Sequence, residues 1–292
     1  MTKKLRVGII GFGKMGALHA KGYTNAEVEI MGIMDEHAPE NIYPIFNDIN
    51  LFLDAVDIIS ICTPSSTHMD IALQCIEAGK PVLVEKPLAM DIGSCEKIIN
   101  KAKENNVKVS VGHIERYNAG FKAILDNIDK IGQIEKITAV RTNPSSNRIT
   151  DVDVLTDLTV HDLDLIRTLC GGHELEDVQV KHKLYNQELG FLDSIKATFL
   201  LNDIVIKVHT CRVAEDVERS LKVVGKKGTI VADLINRSAT LNGEELNIAP
   251  IDQIDAQLSA WVSANVNNTD PVVSMYDGMF AVTSADVIRR SQ

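Results

Sequence analysis

The sequence predicts an α/β protein whose N-terminal part is a doubly wound parallel sheet and whose C-terminal part is an α+β domain built on a mixed or antiparallel sheet. Three observations predict this. Apolar strand-like runs alternate with helical patterns through residue 115, a glycine-rich turn sits after the first run, and several strand-like runs follow one another without helices between 175 and 242.

In order, "LRVGIIG" is apolar at nearly every position and leads into a helical pattern over about 14–24. "VEIMGIMD" and "VDIISICTP" are the second and third strands, the latter stopped by Pro64. Over 67–79, Ile71, Ala72, Cys75 and Ile76 share one helical face, and Gly79 ends the run. "PVLVEKP" is a fourth strand, 91–105 a helix, and "VKVSVGH" a fifth strand. After Tyr117 come a helix over about 118–129, "IEKITAVRTN", a polar stretch, and the helical "LTDLTVHDLDLIRTLCGG". The strands "VQVKHKLYN", "DSIKATFLL", "IVIKVHTCR", "RSLKVVG" and "GTIVADL" follow, with turns at "KKG" and "NG". Helices over about 252–267 and 274–290 close the chain. Two domains are expected, 1–115 and 116–292, with a cleft between them and the C-terminal helix packing back on the first.

A chain of 292 residues suits two cores, and 45% apolar residues supply them. The formal charge of -10 argues against nucleic-acid or membrane-surface partners, which are polyanions, while leaving room for a small anionic ligand in a local basic pocket. Cys62, Cys75, Cys95, Cys170 and Cys211 are scattered and odd in number, which reads as free thiols in a reducing compartment, neither a disulfide frame nor a zinc site. With no signal-peptide pattern and no long apolar run, the cytoplasm is the expected address.

The glycines of "VGIIGFGKMGALHA" lie between a strand and a helix, in the pattern G-x-G-x-x-G. In that context Gly11 permits the tight turn, Gly13 lets backbone approach a pyrophosphate, and Gly16 lets the helix pack close. The helix N-terminus around Lys14 and Met15 then offers its free N–H groups to phosphate. Asp35, at the end of the second strand, can accept both ribose hydroxyls of an adenosine and would repel a 2′-phosphate. Glu36 and His37 follow it in place of an arginine, so NAD is expected over NADP. A Walker loop is excluded because "GKM" lacks the Ser or Thr, and no HRD or DFG supports a kinase.

Together, "CTPSSTH", "AGKPVLVEKPLA" and "DLTVHDLDLIRTLCG" resemble the Gfo/Idh/MocA family of NAD(P)-dependent oxidoreductases. The resemblance spans nearly the whole chain. It implies a Rossmann domain, a second domain whose large open sheet serves oligomerisation as a homodimer or homotetramer, and a cofactor lying across "CTP" and "EKP". That brings Thr63, Pro64, Glu85 and Lys86 into the cofactor set, beside Phe12 of the glycine turn. "VGHIERYN" and "NPSSNRITDVDVLTDLTVHDLDL" further resemble the branch containing UDP-N-acetylglucosamine 3-dehydrogenases.

Oxidising an alcohol with NAD needs a base for the hydroxyl proton and a partner for the nascent oxyanion. Asp157, His161 and Asp164 are spaced i, i+4, i+7 and share one face if helical, whereas Asp162 points elsewhere. His161 can pass a proton near neutral pH, with Asp157 orienting it or bonding substrate. The alternative is a satisfied helix histidine beside a helix-starting Asp157. A metal held by His161 with Asp157 or Asp164 lacks a supporting His/Cys cluster, so none is expected. Lys86, at the end of the fourth strand, can bond the reacting hydroxyl, or can be a plain surface lysine. His68 either supports the cofactor site or packs at a helix start capped by Ser66 or Thr67. Arg116 and Arg148 are the candidate cations for a diphosphate, against the alternative of surface or salt-bridged arginines. Tyr117 can stack on a uracil or sugar, or pack in the core.

The expected activity is therefore NAD-dependent oxidation of a secondary hydroxyl of a sugar, in particular UDP-N-acetylglucosamine at C3. The alternatives are an inositol-type polyol dehydrogenase and a non-catalytic NAD-binding regulator.

Overall fold

The computed structural model describes residues 4–26, 28–38, 43–144, 152–186, 188 and 190–291. The chain opens with β1 (Leu5–Ile10), α1 (Lys14–Tyr23), β2 (Val28–Met34), α2 (Ile49–Ala55), β3 (Ile58–Ile61), α3 (His68–Glu77), β4 (Val82–Glu85), α4 (Ile92–Asn105) and β5 (Val109–Gly112). It continues through α5 (Ala119–Asn127), β6 (Ile134–Thr142) and α6 (Val160–Cys170). A run of strands follows: β7 (Glu176–Tyr185), β8 (Leu192–Leu201), β9 (Ile204–Cys211), β10 (Glu218–Gly225), β11 (Gly228–Asp233), β12 (Ser238–Leu241) and β13 (Glu244–Glu245). It closes with α7 (Gln253–Val266) and α8 (Met275–Arg290).

By its internal contacts the chain forms two compact units. Residues 1–114 join 252–279 in the first, and 115–251 join 280–292 in the second. The segment 252–279, read from the sequence as part of the later domain, thus groups with the first.

In the first unit β1–β5 form a parallel sheet in the order β2-β1-β3-β4-β5. β3, β4 and β5 are buried at every position, which is why they read as continuous apolar runs. Local chemistry sets the helix ends. Asp48 accepts from the amides of Asn50 and Leu51 to start α2, and Asp91 accepts from Ser94 to start α4, which Asn106 ends in a left-handed conformation. Helix α7 starts on an Asp252 cap and packs on α1, where Ile254 and Leu258 meet the bare backbone of Gly22. Leu258 and Trp261 share a core with Tyr23 and Ile9. The chain runs from β1 to β2 on one side and then crosses to β3 on the other. The carboxyl ends of β1 and β3 are therefore the topological switch point, where open α/β sheets bind ligands.

The second unit is built on an eight-stranded sheet in the order β13-β12-β11-β10-β6-β9-β8-β7. Its one parallel pair is β6 with β9; the remaining pairs are antiparallel. Phe121 and Ile124 of α5, Leu163 and Ile166 of α6, and Phe280 and Ile288 of α8 share a core with Ile137, Leu221 and Val223 of the sheet. The opposite sheet face carries exposed Lys196, Lys207 and Lys222. The "NG" turn joins β12 to β13, with Asn242 and Gly243 both at positive φ, the backbone a tight hairpin requires. Among the described residues no helix is long and apolar enough to cross a membrane.

Candidate active site

At the switch point of the first unit lies a groove of about 950 Å³. Gly11, Phe12, Gly13, Lys14, Met15, Asp35, Thr63 and Pro64 all line it, together with Cys62 and Thr67. The three glycines differ in what they do. Gly11 has φ +87°, and a Cβ there would lie 2.6 Å from the amide nitrogen of Thr63. A Cβ at Gly16 would lie 2.1 Å from the carbonyl oxygen of Gly11, so this glycine lets α1 sit against the turn. At Gly13 a Cβ would meet nothing within 4 Å, and φ is an ordinary -68°. Nothing among the described residues requires a glycine there, whereas an approaching phosphate would. Gly13 also caps α1 without any side-chain bond, leaving the first-turn amides to a ligand. These features fit a dinucleotide.

Asp35 closes the same groove. Its carboxylate accepts from the Phe12 amide at 2.5 Å and from the His37 amide at 2.7 Å. The end of β2 is thereby tied to the glycine turn, and each oxygen keeps acceptor capacity for a hydroxyl.

Thr67 departs from the sequence reading. Neither it nor Ser66 caps α3 through a side chain. A 3-10 turn, Ser65–Thr67, comes first, and the Thr67 hydroxyl bonds Thr63 Oγ1 and the Pro64 carbonyl instead. His68 is buried, and its ring reaches two carbonyl oxygens, Pro87 at 2.8 Å from Nδ1 and Thr63 at 3.0 Å from Nε2. It joins the turn after β3 to the turn after β4. Lys86 follows directly on β4 and is half-buried.

Behind Lys86 is a buried polar chain that the sequence reading did not single out. Glu85 Oε1 lies 3.0 Å from His19 Nε2, His19 Nδ1 lies 3.1 Å from Ser60 Oγ, and Ser60 Oγ lies 2.8 Å from Tyr23 Oη. Burial pushes against a charge on Glu85, but the His19 hydrogen bond and charge, then Lys86 and His68, hold the carboxyl below its ordinary value. Burial likewise opposes a charge on His19. Cys62 and Glu85 outweigh it and push the imidazole up to about 10. A carboxylate on the "EKP" turn is thus kept ionised next to Lys86. The one sequence signal was a histidine on the buried face of α1 opposite an acid in an otherwise apolar strand.

In the second unit Leu155–Thr159 is a π-helical turn that runs into α6. Asp153 starts it, accepting from the Thr156 amide at 2.9 Å, and Arg289 of α8 donates to Asp153 at 2.8 and 3.2 Å. Asp157 is therefore not the helix-starting residue. It sits within the wider π turn, buried, and His161 is half-buried in the first turn of α6. Asp164 is fully buried and accepts two bonds from Arg116, at 2.8 Å from Nε and 2.7 Å from Nη2. The fork that the sequence reading offered to a phosphate thus faces a carboxylate of the chain itself. Asp162 does point elsewhere, to Arg141, which also donates to Glu115 at 3.1 Å. Burial pushes the Tyr117 hydroxyl up to about 12, against Arg116 and with Asp164. Arg148 lies outside the described residues.

Glu115, Arg141 and Arg219 were missed by sequence reading. The signal available was parity. Arg141 continues the buried series Ile137 and Ala139, and Arg219 continues Leu221 and Val223, so both arginines belong to the helix-covered face. Among the described residues no group of three or more His, Cys, Asp or Glu side chains is placed to hold a metal ion.

Comparison with known proteins agrees with this architecture. The model of an oxidoreductase family with an NAD-binding Rossmann fold matches residues 5–113, and that of the GFO/IDH/MocA C-terminal domain matches residues 122–231. The chain is 29% identical over 282 residues to a UDP-N-acetylglucosamine 3-dehydrogenase of Acidithiobacillus ferrooxidans, covering 89% of this chain and 88% of the relative. It is 26% identical over 252 residues to an inositol 2-dehydrogenase of Rhizobium meliloti, covering 78% and 76%. The solved structure of the Acidithiobacillus ferrooxidans UDP-N-acetylglucosamine 3-dehydrogenase superposes with a TM-score of 0.91 at 26% identity, over 99% of this chain and 97% of that one. With both of its parts matched in order and the glycine groove at the switch point, the chain belongs to the GFO/IDH/MocA family of NAD-binding oxidoreductases.

Proposed function

We propose that this oxidoreductase is an NAD-dependent dehydrogenase that oxidises a secondary hydroxyl of a nucleotide-linked sugar, UDP-N-acetylglucosamine at C3 being the substrate of choice. The observation that carries the reading is near-full-length likeness to a relative with that activity, at a TM-score of 0.91. In this reading the turn Gly11–Gly16 and the first amides of α1 hold the pyrophosphate, Asp35 holds the adenosine ribose, and Thr63, Pro64, His68 and Glu85 shape the rest of the cofactor site. Asp35 favours NAD, because its carboxylate would meet a 2′-phosphate with like charge. Bound NAD supplies the hydride acceptor. His161 takes the hydroxyl proton, Asp157 orients the imidazole, and Lys86 donates a hydrogen bond to the reacting oxygen. Tyr117 and Arg148 contact the substrate. Arg116 holds Asp164 by two hydrogen bonds. The exposed face of the eight-stranded sheet is the proposed surface for a homodimer or homotetramer, which light scattering would size.

The inositol dehydrogenase relative supports a second reading, oxidation of a free polyol by the same residues. A panel of UDP-sugars, free sugars and inositols with NAD, followed by reduced-nicotinamide absorbance, separates the two. Turnover of inositols alone overturns the sugar-nucleotide reading. NAD binding with no turnover of any panel member favours a regulator.

A further inference from the structure

Arg219 is out of place for a residue with only a structural task. It lies on β10 directly opposite Arg141 of β6, so two guanidinium groups are cross-strand neighbours on the same face. Like charges so placed destabilise a sheet. Arg141 is compensated by its bonds to Asp162 and Glu115. Arg219 is not. Its Nη1 comes no closer than 3.8 Å to Glu115 Oε1, beyond hydrogen-bond range. Its Nε is buried and has no partner among the described residues. Its side chain is nevertheless 38% exposed. A buried donor left unmade in a native fold calls for an explanation. Burial and Arg141 pull this guanidinium below its ordinary pKa, against Glu115, Asp162 and Asp157. It therefore stands in the field of the carboxylate proposed to orient His161.

We infer that Arg219 is the anion receptor of the second unit, the Nη groups of its fork taking phosphate oxygens of the sugar substrate. The inference rests on the sugar-nucleotide reading and narrows it: the substrate is a phosphorylated sugar. Geometry favours Arg219 over Arg116 for this task, since two N–H groups of Arg116 already face Asp164. Bidentate recognition of a phosphate by two parallel N–H donors is what the Nη edge of a guanidinium offers.

The test compares wild type with Arg219→Gln and Arg219→Lys. UDP binding is measured by calorimetry, and kcat and KM are measured with UDP-N-acetylglucosamine and NAD. In Arg219→Gln the UDP Kd and the sugar-nucleotide KM should rise about 10-fold or more, with kcat within about threefold, because a phosphate contact is equal in ground and transition states. Arg219→Lys keeps the charge without the fork and should fall between. NAD affinity should stay at the wild-type value in both. If Arg219→Gln does not fold, Arg219→Lys alone decides. Wild-type UDP affinity in a folded variant overturns the inference even if UDP-N-acetylglucosamine is turned over. If another sugar phosphate is the substrate and its KM depends on Arg219, the inference stands and the choice of UDP-N-acetylglucosamine falls. Turnover of neutral polyols only, with no UDP binding, overturns both.

Discussion

His19 Nε2 lies 3.0 Å from Glu85 Oε1, and both side chains are buried behind the turn that carries Lys86. The pair joins α1, which opens at the glycine turn, to β4, which ends in the "EKP" motif. Removing either partner leaves an uncompensated charge in the interior, so Glu85→Gln or His19→Leu should destabilise the fold by about 3–5 kcal/mol. The pH dependence follows from the shifts. Glu85 is held below its ordinary value, so its contribution is full above about 4.5 and is lost as pH falls through the folded value. His19 is raised to about 10, so its contribution is full below about 6.5 and is lost as pH rises toward 10. Thermal melts should show a wild-type maximum between about pH 4.5 and 6.5 and a decline toward pH 10. An alkaline decline just as steep in His19→Leu would remove the pair as its cause.

Gly13→Ala should separate ligand binding from folding. A methyl group there meets nothing and φ is ordinary, so Tm should stay within about 1 °C of wild type, while NAD binding weakens about 10-fold or more as the methyl stands where phosphate must approach. Gly11→Ala should lower Tm by several degrees, because φ is +87° and the turn after β3 is in contact. Equal NAD affinity for wild type and Gly13→Ala, measured by fluorescence titration, would take the pyrophosphate away from this turn.

In the proposed site Asp35 is expected to set the cofactor preference. Wild type should bind NAD more tightly than NADP. Asp35→Ser with Glu36→Arg should move the preference toward NADP. Tighter NADP binding by the wild type would show that Asp35 does not face the ribose.

His161→Ala should lower kcat about 100-fold or more and leave NAD affinity near wild type. Lys86→Ala should behave in the same way, and the two losses should not add if both act on one oxygen. The kcat/KM profile of the wild type should show an ionisation that is missing from His161→Ala. Wild-type turnover by His161→Ala would end its assignment as the base.

Much of the first unit was legible because its signals are local. Strands β3–β5 are buried throughout and read as unbroken apolar runs, and the glycines sit at positions fixed by backbone geometry. Helix α2, seven residues started by Asp48, is too short to show a period. The candidate site of the second unit was half legible. Asp157 and His161 were visible as residue types at helical spacing, but spacing cannot reveal that Leu155–Thr159 winds as a π turn, which changes the angle between them. Nor can it reveal which carboxylates are already taken: Asp164 and Asp162 look alike in "HDLDL", and their partners Arg116 and Arg141 lie more than twenty residues or so away in the chain. Arg219 was hidden for the same reason, since what marks it is a cross-strand neighbour on β6.

The return of residues 252–279 to the first unit bears on how such a chain can be recombined. A chimera made by exchanging everything before residue 115 with a relative would inherit α1 from one parent and α7 from the other. Gly22 would then have to accept a foreign surface in place of Ile254 and Leu258, and Tyr23 a foreign neighbour in place of Trp261. Exchanges that carry 252–279 along with the first segment keep that packing intact. The natural module for shuffling is thus two stretches of gene that travel together.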